Sequence, residues 1–166
     1  VAELPDGRVL VNDGTRRRLL LMDTTLTTAS VVLDSLSEIA NTYGPRPGAL
    51  VGYRGDSIMF VDPASYAIVI IDPQGNPGRV RSVWRVEHAP YFSSSTGTYG
   101  WPGIDAKGRI IYRIPARPAQ MMVMSSSGIP YMPQQPDSAF IVGVNLDTRS
   151  VDTLAAVRVS VSQMRP

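Results

Sequence analysis

The stretch that decides the fold is "DGRVLVNDGTRRRLLLMD", residues 6–23, because the chain repeats its pattern at residues 55–72 as "GDSIMFVDPASYAIVIID". The two segments align without a gap at an offset of 49 residues, so that the apolar run 9–11 falls on the apolar run 58–60. Each copy consists of an apolar run, a short turn and a second apolar run, which predicts an antiparallel β-hairpin. Self-similarity at a fixed period indicates a repeat architecture.

A third copy of the pattern begins at "DAKGRIIYR", residues 105–113, at an offset of 101 from the first copy. Its second apolar run, "AFIVGVNLD", is delayed to residues 139–147 by an insertion of about twenty residues. Each copy ends on an aspartate: Asp23, Asp72 or Asp147. We interpret these aspartates as turn-capping residues, because the Asp side chain accepts hydrogen bonds from nearby backbone N–H groups.

Strand-like segments precede and follow each hairpin, which gives four strands in each of three units. The predicted fold class is therefore all-β, with four-stranded antiparallel blades of the β-propeller type in three repeats, a partial or half propeller. We expect a single domain over residues 1–166, with blades at about 1–35, 48–86 and 100–160. A β-sandwich of twelve strands is the alternative architecture.

Three blades do not close a ring, since propellers have four to eight. An open wedge exposes its inner strands and the faces of its two end blades, and such surfaces invite pairing. We therefore expect the remainder of the ring, a second copy or another protein to cover the open side.

The "DGR(V/I)(L/I)" openings and "(I/L)xxxD" closings resemble the repeats of six-bladed propellers of the NHL and SMP-30/gluconolactonase-like type. The resemblance implies a six-bladed protein and an extracytoplasmic location, periplasmic or secreted. In the lactonases it also implies an Asp/Glu/Asn metal set at the central channel. The carboxylates of this chain form no recognisable set of that kind in the sequence, and a fold is shared by many functions.

The long connections of this pattern all fall at one end of the blades. With the strands of a blade lettered a to d, the a–b and c–d turns are short, whereas the d–a connections and the third b–c connection are long. Long loops on a rigid scaffold commonly carry function. These loops are rich in aromatic residues and methionine, which suit binding surfaces. The candidate protein interface comprises Tyr91, Phe92, Tyr99, Trp101, Met121, Met122, Met124, Tyr131 and Met132.

The loop side chains could instead fold back and cap the blade ends. Arg16, Arg17 and Arg18, at the turn between strands b and c of the first blade, form a candidate basic patch for an acidic partner. The second blade has no charges at that turn, so the fold does not require them.

Composition and motifs disfavour most catalytic classes. The net charge is only +2 and there is no cysteine, so neither nucleic-acid binding nor thiolate chemistry is expected. No apolar run is long enough to span a membrane. The lone histidine, His88, cannot supply a multi-histidine metal site, and no nucleophile motif accompanies it. Arg79, Arg81 and Arg85 alternate along the last strand of the second blade, where we expect a solvated edge.

The sequence thus predicts a non-enzymatic interaction or scaffold module without a cofactor or metal. We expect an accessory subunit that docks through the long-loop face onto a larger complex, including one at a membrane surface. The alternative is a fragment of a propeller lactonase- or hydrolase-like enzyme whose metal site is completed by missing blades.

Overall fold

The computed structural model shows an all-β protein built from three four-stranded sheets. It describes residues 1–35, 43–83, 85–92, 100–115, 123–131 and 137–158. Within these ranges, helix is confined to one 3-10 turn at Val86–His88 that continues into a single helical turn, α1, at Ala89–Phe92.

Each sheet forms one blade, and its strands follow one another in chain order. Blade 1 contains β1 (Ala2–Glu3), β2 (Val9–Asp13), β3 (Arg18–Met22) and β4 (Ala29–Asp34). Blade 2 contains β5 (Ala49–Gly52), β6 (Ile58–Asp62), β7 (Ala67–Ile71) and β8 (Pro77–Ser82). Blade 3 begins with β9 (Gly103–Ile104) and β10 (Ile110–Pro115), and a hairpin of β11 (Val123–Met124) and β12 (Pro130–Tyr131) follows. It ends with β13 (Ser138–Val144) and β14 (Val151–Arg158).

All pairings within the blades are antiparallel between strands that are neighbours in the blade. The prediction of an all-β fold with three four-stranded blades of the propeller type is confirmed. The hairpin inside the third b–c connection is an addition that the repeat pattern did not predict.

Blade 2 lies between the other two blades, which explains why every residue of β6 is buried. Side chains alternate between the two faces of a strand. Ile58 and Phe60 accordingly pack into the core shared with blade 1. Met59 and Val61 pack into the core shared with blade 3. A strand that is covered on both faces has no solvent side, and hence residues 58–61 of β6 are all apolar.

The closing residue of the third repeat was wrongly predicted. Val144 pairs with Ile110 just as Met22 pairs with Val9, so the residue equivalent to Asp23 is Asn145 and not Asp147. The Asn145 side-chain carbonyl accepts hydrogen bonds from the backbone N–H groups of residues 147 and 148. The insertion before β13 removes the ungapped spacing that made the first two copies easy to align.

The turn-capping role is confirmed at the first two closing positions. Oδ1 of Asp23 accepts from the backbone N–H of Thr27 at 2.9 Å, and Oδ1 of Asp72 accepts from the N–H of Gln74 at 2.9 Å. The pKa of each carboxyl lies below its ordinary value, chiefly because Asp23 also accepts from the Thr28 hydroxyl and Asp72 also accepts from the N–H of Asn76.

The last strand of blade 2 is shorter than expected. It ends at Ser82, and Arg85 therefore lies beyond it. Arg79 and Arg81 remain on the strand. The expected row of three arginines on one strand edge is wrong for this reason, and Arg81 has a partner in blade 3 that is described below.

Candidate interaction surfaces

The b–c turns of blades 1 and 2 are fixed against the chain that leaves each blade. Arg17 and Tyr66 occupy equivalent turn positions with φ of 55° and 54°. The carbonyl of Arg17 accepts from the N–H of Ser35 at 3.2 Å, and that of Tyr66 accepts from the N–H of Val83 at 2.8 Å. Each long connection therefore starts beside a b–c turn, and we call this end of the blades the long-loop end.

The first connection is pinned by a buried tyrosine. Tyr43 is 1% exposed, and its hydroxyl donates to Oδ1 of Asn12 at 2.7 Å while it accepts from the N–H of Gly48 at 2.9 Å. Nδ2 of Asn12 in turn donates to the carbonyl of Gly48 at 2.7 Å. The Tyr43 ring lies 4.9 Å from that of Phe60 in blade 2. Tyr43 therefore joins blades 1 and 2 and is not available to a partner.

The second connection is pinned by the lone histidine. Nδ1 of His88 lies 2.6 Å from the hydroxyl of Tyr112 in β10, and the side chain is 7% exposed. Burial lowers the pKa of His88, because the imidazolium form would lose its hydration; nearby Glu87 opposes the shift and Arg85 adds to it. Tyr112 occupies the same position in blade 3 as Phe60 in blade 2. Both connections thus place a ring against the same point of the following blade.

The candidate interface residues fall into four groups. Tyr91 is partly buried and packs against the core between blades 2 and 3, as the capping alternative supposes. Trp101 and Met124 are 69% and 63% exposed. Phe92 ends α1 and Tyr131 ends β12. The remaining four residues lie outside the described residues: Tyr99, Met121, Met122 and Met132.

A further exposed apolar side chain was missed by the sequence analysis. Ile129 is 64% exposed and lies at the turn of the β11–β12 hairpin. The turn is closed by two backbone hydrogen bonds, from the N–H of Ser125 to the carbonyl of Ile129 and from the N–H of Gly128 to the carbonyl of Ser125. Gly128 has φ of 75°, which only glycine adopts readily. The sequence feature that could have identified Ile129 is a large aliphatic residue next to a glycine turn within a long insertion.

The candidate basic patch is partly paired with carboxylates of its own blade. Nη1 of Arg16 lies 3.3 Å from Asp13, and Nε of Arg18 lies 3.5 Å from Asp34. Arg16 is still 75% exposed, so its pair is loose. Arg17 holds the left-handed turn position already described.

A second basic cluster forms between blades 2 and 3. Asp147 accepts from Arg81 at 2.7 Å and from Arg54 at 2.5 Å, and these bonds hold the pKa of its carboxyl below the ordinary value. Arg54 belongs to the "RGD" tripeptide, which forms the a–b turn of blade 2 as predicted. A groove of about 420 Å³ adjoins the pair and is lined by Arg79, Val80, Arg81, Ser82, Leu146, Asp147 and Arg149. The turn is capped by Asn145, and the Asp147 carboxylate instead forms ion pairs that bridge blades 2 and 3.

One sheet face of blade 1 is not covered by another blade of the described chain. In blades 2 and 3, four positions on strands b and c face the preceding blade, and all eight side chains are between 0 and 7% exposed. They are Ile58, Phe60, Val69 and Ile71 in blade 2 and Ile110, Tyr112, Val142 and Val144 in blade 3. The equivalent residues of blade 1 are Val9, Val11, Leu20 and Met22, and each of these is partly exposed. We call these four residues the outer face of blade 1.

The described residues include no group of three or more acidic, histidine or cysteine side chains placed to hold a metal ion. In the same part of the chain, no helix has the length and apolar character needed to cross a membrane.

Comparisons with known proteins give a distant structural likeness. No protein-family model matches the chain. No curated protein matches it by sequence. Among solved structures, the chain is similar to that of a streptogramin B lyase, with 10% sequence identity and a TM-score of 0.48. The match covers 96% of this chain and 54% of the lyase chain, so this chain spans about half the length of that protein.

Proposed function

We propose that this chain is a protein-interaction module that docks a partner through apolar side chains at the long-loop end. The observation that carries the proposal is the exposure of Trp101, Met124 and Ile129, each more than 60% accessible to solvent. Isolated exposed apolar residues are ordinary on proteins. Here three large apolar side chains are exposed in the long connections before β9 and after β10, and a docking surface requires a group of this kind.

The hairpin that carries Met124 and Ile129 has a turn closed by its own hydrogen bonds. In addition to its two backbone hydrogen bonds, Oγ of Ser125 accepts from the N–H of Ile129 at 3.0 Å. A preorganised turn loses little conformational entropy on association. Removing one such side chain fully from water contributes roughly 1.5–3 kcal/mol, so three of them could dominate the affinity.

The same proposal includes the type of propeller to which the module belongs and the place where it acts. The openings and closings of the repeats support a six-bladed propeller of the NHL or gluconolactonase-like type. A role as an accessory subunit of an extracytoplasmic or membrane-associated complex follows from that resemblance alone. The competing hypothesis, an enzyme fragment, requires a carboxylate metal set contributed by residues beyond those that the structure describes.

The experiment compares a triple variant with a matched control. Trp101→Ser, Met124→Ser and Ile129→Ser are combined, and the control combines Leu26→Ser and Leu154→Ser, which are 58% and 42% exposed in a c–d turn and on β14. Each protein carries a photo-crosslinker at residue 130 and is returned to its source cells. We expect the wild type and the control to crosslink to the same partner and the triple variant to lose it, with an unchanged melting temperature.

Two results would contradict the proposal. The first is equal crosslinking by the triple variant. The second is a stoichiometric divalent metal together with hydrolytic activity in the purified protein, which would favour the enzyme.

A further inference from the structure

We propose that an extended acidic peptide segment of a partner protein binds in the groove between blades 2 and 3 and adds a strand to the outer edge of β8. We call this groove the arginine groove, because Arg79, Arg81 and Arg149 line it and Arg54 lies beside it. The inference is independent of the exposed apolar side chains at the long-loop end. It rests on the charge of the groove and on the backbone groups that β8 directs outward.

The arginine groove contains more positive charge than its own carboxylate neutralises. Asp147 pairs with both Arg54 and Arg81, whose side chains are still 49% and 40% exposed. Among the described residues, Arg79 forms no hydrogen bond or ion pair, and Arg149 makes one long contact of 3.5 Å to a backbone carbonyl. Arg79 and Arg81 also line a second groove of about 260 Å³, on the side of Arg54. Four guanidinium groups therefore surround one carboxylate, and the excess charge faces open space.

The packing of the blades does not require these arginines. The last strand of blade 1, β4, contains no basic residue. Leu33 pairs with strand c of blade 1 where Arg81 pairs with strand c of blade 2. Leu33 is 2% exposed and belongs to the core shared by blades 1 and 2. An apolar residue thus serves the blade–blade contact at this position, and the arginine in blade 2 calls for another reason.

The backbone of β8 offers hydrogen bonds on the same side as the groove. The N–H of Val83 donates to the carbonyl of Tyr66 at 2.8 Å, and the register of β8 on β7 is regular from residue 80 to residue 82. Since successive residues of an antiparallel strand alternate in direction, the N–H and C=O groups of Val80 and Ser82 are directed away from β7. No strand of the described chain pairs with this edge. Val80 and Ser82 both line the groove, so an extended peptide can add there by main-chain hydrogen bonds.

The charges select the kind of strand that can add. Charged side chains on an edge ordinarily discourage pairing, and here they exclude basic and apolar strands. Arg79 and Arg81 share one face of β8 and are two residues apart, which is about 7 Å along an extended chain. A peptide with Glu or Asp at alternate positions has the same spacing, so its carboxylates reach both arginines. Opposite charges directly across two strands are stabilising.

The same groove is poorly suited to a nucleic acid. The fixed carboxylate of Asp147 stands among the arginines and repels a chain that carries a phosphate at every unit. The described lining residues of the groove include no aromatic ring on which a base could stack. A strand with spaced carboxylates avoids the first problem and does not need the second feature, and this favours an acidic peptide.

The first test measures binding of a labelled peptide of alternating threonine and glutamate by fluorescence anisotropy. We expect saturable binding that weakens as salt is added, and no binding of the same peptide with lysine in place of glutamate. Arg79→Glu should weaken binding about tenfold or more without a change in melting temperature, because Arg79 has no partner within the described fold. Arg46→Glu makes the same change of net charge at an exposed residue of the first long connection and should bind like the wild type.

The second test locates the peptide by amide hydrogen exchange. On saturation with the peptide, exchange at Val80 and Ser82 should slow, because their N–H groups then donate to the added strand. Four results would each overturn the proposal: no binding, equal binding by Arg79→Glu, unchanged exchange at both amides, or displacement of the peptide by a lower concentration of single-stranded oligothymidylate. The apolar side chains at the long-loop end are unchanged in these variants, so the outcome is separate from that of the docking experiment.

Discussion

The phenol of Tyr43 donates a hydrogen bond to Oδ1 of Asn12 at 2.7 Å, although the two residues are 31 positions apart in the chain. The same oxygen accepts from the buried N–H of Gly48. One hydroxyl group therefore ties the first long connection to β2 and to the start of blade 2. The blades are joined by specific polar contacts in addition to their apolar cores.

Replacing Tyr43 with phenylalanine should lower the free energy of unfolding by about 1–3 kcal/mol, because a buried amide N–H and a side-chain carbonyl lose their partner. Urea denaturation followed by far-UV circular dichroism measures this difference. Tyr66→Phe removes a hydroxyl from an exposed tyrosine and should have no effect. Equal stability of the two variants would show that the hydrogen bond is dispensable.

Stability should fall as the pH is lowered below about 6.5, the ordinary pKa of histidine. The pKa of His88 is lower in the folded protein, so the unfolded chain binds the proton first and protonation favours unfolding. The stability is complete above the unfolded pKa and is lost as the pH falls towards the folded one. Urea midpoints at pH 7.5 and pH 5 measure the loss, and His88→Gln should remove this part of it. A wild type with the same midpoint at both pH values would contradict the assignment.

Gly48→Ala should be strongly destabilising, whereas Gly52→Ala should not. A Cβ at residue 48 would overlap with Cζ of Phe60 and lie 2.9 Å from the carbonyl oxygen of Val61, but a Cβ at residue 52 meets nothing within 4 Å. Overpacking of this kind costs about 1–3 kcal/mol or more. Thermal unfolding of the two variants side by side provides the comparison. If they melted together, the close approach of the connection to Phe60 would be wrong.

Asp147→Asn should weaken the contact between blades 2 and 3, since Arg54 and Arg81 would lose the carboxylate that separates them. The pair is solvent-exposed, and we therefore expect a small decrease in melting temperature that shrinks as salt is added. The carboxyl has a lowered pKa when folded, so its contribution is present above its unfolded pKa and disappears as the solution becomes strongly acidic. Asp56→Asn, in the neighbouring turn, is the control. A salt-independent effect would indicate lost packing instead.

Much of the architecture was predictable because the first two repeats align without a gap. Their apolar runs and turns define β2, β3, β6 and β7 directly. The third repeat was harder, because the insertion before β13 separates its two central strands. The sequence alignment therefore placed the acidic Asp147 at the turn-capping position, but the hydrogen bonds show that Asn145 occupies it. An amide oxygen caps a turn as well as a carboxylate does.

The surfaces were less predictable than the strands. From the sequence, Tyr43 and His88 are predicted to be loop residues, because the residues next to them in the chain do not indicate that each ring contacts the following blade. Trp101 and Met124 could be identified by type alone. The significance of Val9 and Val11 emerged only when the burial of Ile58 and Phe60 was known, since all four residues look alike in sequence.

Cysteine labelling tests most directly whether a partner covers the exposed apolar side chains at the long-loop end. The chain contains no cysteine, so single Ile129→Cys and Leu26→Cys variants each carry one thiol. We predict that the rate of maleimide labelling at position 129, relative to the rate at position 26, is lower in an extract of the source cells than in the purified protein. An equal ratio of the two rates in both settings would show that this surface stays open and would contradict the docking proposal.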